Sequence, residues 1–212
     1  MKKQLIYEND FETAEGLFAD TREATWWVED SKLYMDDVAT TQTGITVWIK
    51  EAMPEDVQDI LIEYNAMVVP PKKCSNMNLF YCAKTKEGAH ILDGGFNGVY
   101  EKYHDVLQMY TFTYCGAFTE IMPDGEVKEW NNGSNMRRDP GFVLMSGNST
   151  CHPQVNVPYK FEILKKGDQM TAWANGEKIH EYTSPNPLTG GCIGFRTWKT
   201  KIYFEDIKVY KV

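Results

Sequence analysis

Hydrophobic and polar positions alternate in short runs along the whole chain, broken every few residues by Gly, Pro, Asn or Asp, and no long stretch repeats its apolar residues at the helical period. The pattern predicts strands over residues 5–11, 25–29, 32–35, 44–50, 60–69, 79–83, 106–114, 127–130 and 142–145. The clearest stretch runs from Pro158 to Ile179 and reads as a three-stranded meander, turned first at Gly167-Asp168 and then at Asn175-Gly176. Asn-Gly suits a type I′ hairpin because both turn residues must tolerate positive φ. Within the first meander strand, Tyr159, Phe161 and Ile163 share one face, and Lys160, Glu162 and Leu164 the other. Two closing strands follow, around residues 192–198 and 201–210. In the last of them the apolar parity switches between Phe204 and Ile207, which predicts a bulge, a turn contact or a metal contact at Glu205-Asp206. The least regular parts are expected over residues 70–77, 84–103 and 147–157, which are rich in Gly, Pro, Asn or Ser.

Many short strands without helices between them imply an all-β chain folded as a two-sheet antiparallel β-sandwich. At 212 residues the length suits one such domain, residues 1–212, better than two. The net charge of −8 argues against nucleic acid as a partner, because phosphate binding needs clustered Lys and Arg. No run approaches the ~18 apolar residues of a membrane span. Met1-Lys2-Lys3 leads directly into polar Tyr7-Glu8-Asn9-Asp10 with no apolar core of a signal peptide, so a cytoplasmic protein or a mature secreted or periplasmic chain is expected. Five cysteines, Cys74, Cys82, Cys115, Cys151 and Cys192, are odd in number and lack paired spacing, and read as small buried hydrophobes. Aromatic residues make up 13% of the chain, enough to supply both a core and a sugar-stacking surface.

Three segments carry a resemblance: the opening Tyr7–Glu12, the meander ending in Asn175-Gly176-Glu177, and the closing Gly191–Arg196 with Phe204–Val209. Together they resemble the concanavalin A-like lectin/glucanase superfamily, which implies a jelly roll whose concave sheet holds a glycan. Tyr103-His104, the strand after it and Asn135-Met136-Arg137-Arg138-Asp139-Pro140-Gly141-Phe142 look like the YesU-type family of bacterial proteins associated with pectin and rhamnogalacturonan utilisation. This resemblance covers most of the chain and implies a glycan context without a defined reaction. Superfamily relatives often hold a structural Ca²⁺, and the matching positions here are Glu8 or Asn9, Gly44 and Asp206. No Glu-x-Asp-x-x-Glu acid pair is present, so the resemblance does not extend to a retaining glucanase mechanism.

The candidate catalytic residues are His104, Tyr103, Arg137 and Arg138. A β-elimination on a uronate needs a cation for the carboxylate and a His or Tyr to move a proton, and Arg offers a planar fork for carboxylate. The ordinary alternative is a hydrogen-bonding histidine beside a salt-bridged arginine pair. Gln108, Tyr110 and Tyr114 share a strand face with Phe112, and that face is either the groove or the core. Trp48, Arg196 and Trp198 are candidates for the groove wall. Of Trp26-Trp27, one indole is expected in the core. His90, His152 and His180 are too far apart in sequence for a metal motif. Gly94-Gly95-Phe96-Asn97-Gly98 lacks the Lys-Ser/Thr of a phosphate loop and is expected to shape a lip beside His104. The partner is therefore expected to be an oligosaccharide or polysaccharide, cut by a lyase or hydrolase or held by a lectin-like module, with no cofactor needed for chemistry.

Overall fold

The computed structural model describes residues 2–38, 44–51, 53–72, 76–87, 91–93, 96, 98–116, 118–121, 124–130 and 133–212. Cys74, His90, Gly94, Gly95 and Asn97 lie outside the described residues. Seventeen strands are described: β1 (Gln4–Asn9), β2 (Leu17–Asp20), β3 (Thr25–Glu29), β4 (Lys32–Asp36), β5 (Ile45–Ile49), β6 (Ile60–Lys72), β7 (Asn76–Thr85), β8 (Leu107–Cys115), β9 (Phe118–Ile121), β10 (Val127–Trp130), β11 (Ser134–Asp139), β12 (Val143–Asn148), β13 (Tyr159–Lys166), β14 (Gln169–Ala174), β15 (Glu177–Thr183), β16 (Cys192–Thr197) and β17 (Thr200–Lys211). One helix, α1 (Tyr100–Val106), precedes β8.

The first sheet has the order β15-β14-β13-β6-β17-β4-β3, with β1 beside the second half of β17. The second has the order β12-β11-β8-β7-β16-β5-β2, and β9 and β10 form a separate hairpin. All of these strand pairs are antiparallel, so the expected two-sheet sandwich is the architecture observed. The meander falls where its sequence placed it: Asn175 and Gly176 have φ of 50° and 80°, as a type I′ turn requires. Phe161 and Ile163 lie at 0% exposure in the core, and Lys165 continues their face, buried with its ammonium donating to the Gln58 carbonyl. The parity switch in β17 is a bulge: its pairing with β6 shifts register between Glu205 and Lys208, and Asp206 has φ 54°.

The two inner faces meet in one large core, with Leu33, Ile62, Phe161, Phe204 and Val209 from the first sheet and Val47, Leu79, Phe112, Met136 and Phe195 from the second. Trp26 packs against this core while Trp27 stacks on Tyr34 outside it. Cys82, Cys115 and Cys192 are buried free thiols, and burial pushes the Cys82 thiol up to about 12. Among the described residues, no helix is long and apolar enough to cross a membrane.

Candidate functional site

Strand alternation decides what the outer face of the second sheet can carry. On β8, Tyr110, Phe112 and Tyr114 turn inward, at 0%, 0% and 6% exposure. The face offered as groove or core is thus core, opposite to a sugar-binding placement of Tyr110 and Tyr114. Burial of the Tyr110 phenol is compatible with its polarity because its oxygen meets the Ser184 hydroxyl at 3.0 Å and accepts from the Leu188 amide. Gln108, half-buried at the start of the strand, donates to the Lys86 carbonyl. The intervening residues, Leu107, Met109, Thr111 and Thr113, face outward with Thr46 and Trp48 of β5, Asn78 and Phe80 of β7, Arg196 of β16, and Asn135, Arg137 and Asp139 of β11.

A second, smaller apolar cluster caps one part of this face. Trp48, Phe80, Met109 and Cys192 from the strands meet Ile91, Phe96, Tyr103 and Leu107 from the segment around α1. Trp48 can lie across β16 only because residue 194 is glycine, since a Cβ there would come within 2.5 Å of the indole. Trp48 is therefore a packing residue at 1% exposure, not an open groove wall. Tyr103 sits among the rings of Trp48, Phe80 and Phe96, and its hydroxyl donates to Asp20 Oδ2 at 2.6 Å. Burial raises its pKa well above the usual phenol value. Tyr103 is thus fully buried and bonded, away from the position a proton carrier at the surface would need. Asp20 also accepts from the Gly98 amide, and Arg196 donates to Thr46 and to the Gly98 carbonyl. These bonds fix the chain entering α1 to β2, β5 and β16.

The exposed margin of that cap holds His104. Positions 100 and 104 are one helical turn apart, so Tyr100 and His104 share a face of α1. The rings lie 4.4 Å apart, and Phe142, from the turn between β11 and β12, packs on the imidazole at 4.1 Å. Guanidinium groups close both ends of the stack: Arg196 is 4.4 Å from the Tyr100 ring and Arg137 is 4.1 Å from the Phe142 ring. The imidazole and the Arg137 guanidinium are consequently no more than about 8 Å apart.

His104 Nδ1 lies 3.0 Å from Asp139 Oδ1, which also accepts the Phe142 amide at 2.8 Å. Asp139 is wholly buried, and among the described residues its Oδ2 has no hydrogen-bond partner. A carboxylate at Nδ1 keeps the proton on that nitrogen and leaves the Nε2 lone pair as the basic position. Arg137 donates to the Asn135 side chain and the Phe142 carbonyl, both neutral acceptors. Phe142 is held at φ 52°, a strained value for a bulky residue, by its amide bond to Asp139, its carbonyl bond to Arg137 and its ring contacts. Arg138 has the opposite parity and lies 5.9 Å from the Tyr110 ring, so strand alternation separates the arginine pair.

Trp198, at the end of β16, is half-buried with the Lys199 ammonium 4.3 Å from its ring. The expected calcium ligands are not brought together. Glu8 and Asn9 pair with Lys208 and Ile207 beside Asp206 in the first sheet. Gly44 opens β5 in the second sheet, so close to Arg196 that a Cβ would lie 2.7 Å from the guanidinium. A fixed cation beside an intended calcium ligand opposes metal binding, and Asn9 spends its side-chain oxygen on the Phe11 amide. Among the described residues, no group of three or more His, Cys, Asp or Glu is placed to hold a metal.

Sequence reasoning missed Tyr100, Asp139 and Phe142. The one-turn spacing of Tyr100 and His104 was a usable signal for the first. Asp139 and Phe142 acquire their roles only through the fold, which lays the β11–β12 turn against α1.

Comparison with known proteins agrees with this architecture. The model of the DUF6250 family, described as a domain of unknown function, matches residues 39–207. No curated protein matches the chain. A Bacillus subtilis protein of unknown function with a galectin-like fold is similar at TM-score 0.72 and 18% identity, over 99% of this chain and 98% of that one. The carbohydrate-binding module CBM66 from Bacillus subtilis gives TM-score 0.60 at 9% identity over 91% and 93% of the two chains. The kappa-carrageenase from Pseudoalteromonas carrageenovora, in complex with a carrageenan oligosaccharide, gives 0.57 at 8% over 99% and 96%. At these identities the likeness is one of fold, the galectin-like or concanavalin A-like sandwich.

Proposed function

Because the chain belongs to the DUF6250 family, whose description assigns no activity, we propose a role from the site itself: it acts, as a single domain, on a uronate-containing glycan laid over the outer face of the second sheet, at His104 and Arg137. The observation that carries the proposal is the pairing of His104 with buried Asp139, no more than about 8 Å from a guanidinium that, among the described residues, is bonded to neutral acceptors. Such a guanidinium offers its charge to an anion, and a carboxylate fits its fork. The resemblance of Tyr103-His104 and Asn135–Phe142 to the YesU-type proteins supports a pectin-like substrate, and the carbohydrate partners named for the similar sandwiches support a glycan.

In the reaction that suits these groups, Arg137 holds the uronate carboxylate and so acidifies the C–H beside it. His104 Nε2 takes that proton, the C–O bond to the neighbouring sugar breaks, and a C=C bond forms. Asp139 stabilises the imidazolium, which then returns the proton to the departing oxygen. Side chains alone supply this chemistry. A second reading, capture without turnover, is favoured by Tyr103, whose hydroxyl is committed to Asp20 inside the cap and leaves His104 without the expected second proton carrier.

The test is incubation with pectic, glucuronan and neutral oligosaccharides, following ultraviolet absorbance of new unsaturated uronates together with chain length, beside His104→Ala and Arg137→Ala. New absorbance lost in both variants supports elimination. Saturable binding without cleavage, weakened by Arg137→Ala, supports capture. An acidic panel that is neither bound nor cut ends both readings.

A further inference from the structure

At the β11–β12 edge of the second sheet, β12 lies against β15 of the first, and both strands carry a bulge. Met136 pairs with Ser146 but Arg137 pairs with Leu144, so Met145 is an extra residue in β12. Ala172 pairs with His180 but Trp173 pairs with Lys178, so Ile179 is an extra residue in β15. A bulge turns two successive side chains toward the same side of a strand. Ile179 and His180 are accordingly both buried, at 7% and 3% exposure, and Met145 packs on the core beside Ser146. The two irregularities bring His180 and Ser146 together between the sheets.

The hydrogen bonds at His180 have a fixed direction. Ser134 Oγ donates to the Thr113 carbonyl at 2.9 Å, so it accepts from His180 Nε2, 2.7 Å away. Nδ1 therefore carries no proton and accepts from the Ser146 hydroxyl at 2.9 Å. One neutral imidazole thus ties β15 to both β11 and β12. The other groups facing it are the Phe112 ring of β8 and Ala172 of β14, and the Asn148 amide donates to the Ile179 carbonyl next to it. The charged groups on the packed strands are engaged elsewhere. Glu177 is exposed at the start of β15, Lys178 pairs with Glu181 at the surface, Arg137 faces Phe142, Arg138 faces Tyr110, and Asp139 holds His104. β12 and β14 contain no ionisable side chain.

We propose that His180, Ser134 and Ser146 form a proton-operated latch that holds the open edge of the sandwich closed while the imidazole is neutral and releases β12 from β15 on acidification. A second proton would place a donor against the Ser146 hydroxyl and bury a positive charge with no carboxylate facing it. Desolvation holds the imidazole down at about 4, so the closed edge resists protonation while the opened edge, with the ring in water, accepts a proton near 6.5. Acid therefore favours the opened edge.

The test is amide hydrogen exchange on the full chain between pH 7 and pH 4, expressed as protection relative to unstructured peptide. Protection of Val143–Asn148 and Glu177–Thr183 is expected to fall by about tenfold for each pH unit below about 6.5, levelling near pH 4, while β6 and β17 stay protected. His180→Gln, whose amide can donate to one serine and accept from the other without titrating, should remove the pH dependence. The latch is overturned if wild type and His180→Gln give the same profile, or if the edge loses protection only together with β6 and β17. Should that variant not fold, NMR titration of the His180 ring in the wild type decides. A midpoint near 6.5 with the edge still protected overturns the latch, and a ring that stays neutral until the edge opens supports it.

Discussion

Two histidines that bond to the second sheet, His104 from α1 and His180 from β15 of the first sheet, answer the same physical problem in opposite ways. His104, with a side chain 17% exposed, has a buried carboxylate on Nδ1 and a guanidinium on the far side of the ring that stacks on it. His180, at 3% exposure, has a hydroxyl on each nitrogen and, among the described residues, no charge facing it. A carboxylate at Nδ1 fixes the orientation of the His104 ring and faces that nitrogen with a negative charge. Two hydroxyls satisfy the neutral ring but leave the charged ring uncompensated, so His180 can gain a proton only by leaving. On the proposed reading, the same side chain is set for proton transfer beside the β11–β12 turn and for structural commitment between β12 and β15. The choice between them is made by one residue, Asp139, that has no counterpart beside His180.

Removing the carboxylate should break the comparison most visibly. If His104 moves a proton in turnover, His104→Ala should lower product formation by about 10²–10⁴-fold. Asp139→Asn should lower the rate in the same direction while leaving glycan affinity nearly unchanged, because in the proposed mode Arg137 and not Asp139 meets the carboxylate. Steady-state rates beside binding isotherms check this, and an Asp139→Asn protein with undiminished rate would remove Asp139 from the mechanism.

Next in size is acid sensitivity. His180 has its folded pKa lowered to about 4 from 6.5, so its contribution is complete above pH 6.5 and is lost as pH falls from there towards 4. The whole step is on the order of 3 kcal/mol, from ~1.4 kcal/mol per pKa unit. Denaturant unfolding at pH 7 and pH 4 should reveal a stability loss of that order in the wild type, and a smaller one in His180→Gln. A third effect separates the cap from the site it supports. Tyr103→Phe leaves the buried Asp20 without one donor and should cost about 1–3 kcal/mol of stability. Since Tyr103 lies inside the cap, glycan affinity of the folded variant should stay close to wild type; a selective loss of affinity would return Tyr103 to the binding face.

Much of the fold was legible because β-sandwich strands advertise themselves by alternation and turn chemistry. The Asn175-Gly176 hairpin and the Tyr159–Phe161–Ile163 face follow from residue order, whereas the irregularity at Glu205-Asp206 was legible only as a bulge, a turn contact or a metal contact until the register showed the bulge. β11 was hidden because Ser-Asn-Met-Arg-Arg-Asp has one apolar residue, although four of its six side chains are buried. α1 was hidden in a segment read as irregular, since seven residues give too few turns for a helical period to stand out. The site was legible in part. His104 and Arg137 do share a face, whereas parity alone could not say which side of β8 was core, and Tyr110 and Tyr114 face inward. Their aromatic character marks core packing: Tyr114 lies 5.3 Å from the Phe161 ring, and Tyr110 lies 5.3 Å from the Tyr81 ring.

The smallest effect sharpens the claim that His180 titrates alone. Lys178 and Glu181 lie on the same strand and pair at 2.9 Å, but their side chains are 51% and 61% exposed, so water screens both from the buried imidazole. Lys178→Ala is expected to change stability at pH 7 by less than about 1 kcal/mol. It should leave the acid step where it is, because the step arises from desolvation of His180 and not from a neighbouring charge. Unfolding curves for this variant across pH 7 to pH 4 provide the check. A displaced step would mean that the surface pair reaches the imidazole, and the contrast with the charge-coupled His104 would then be one of degree.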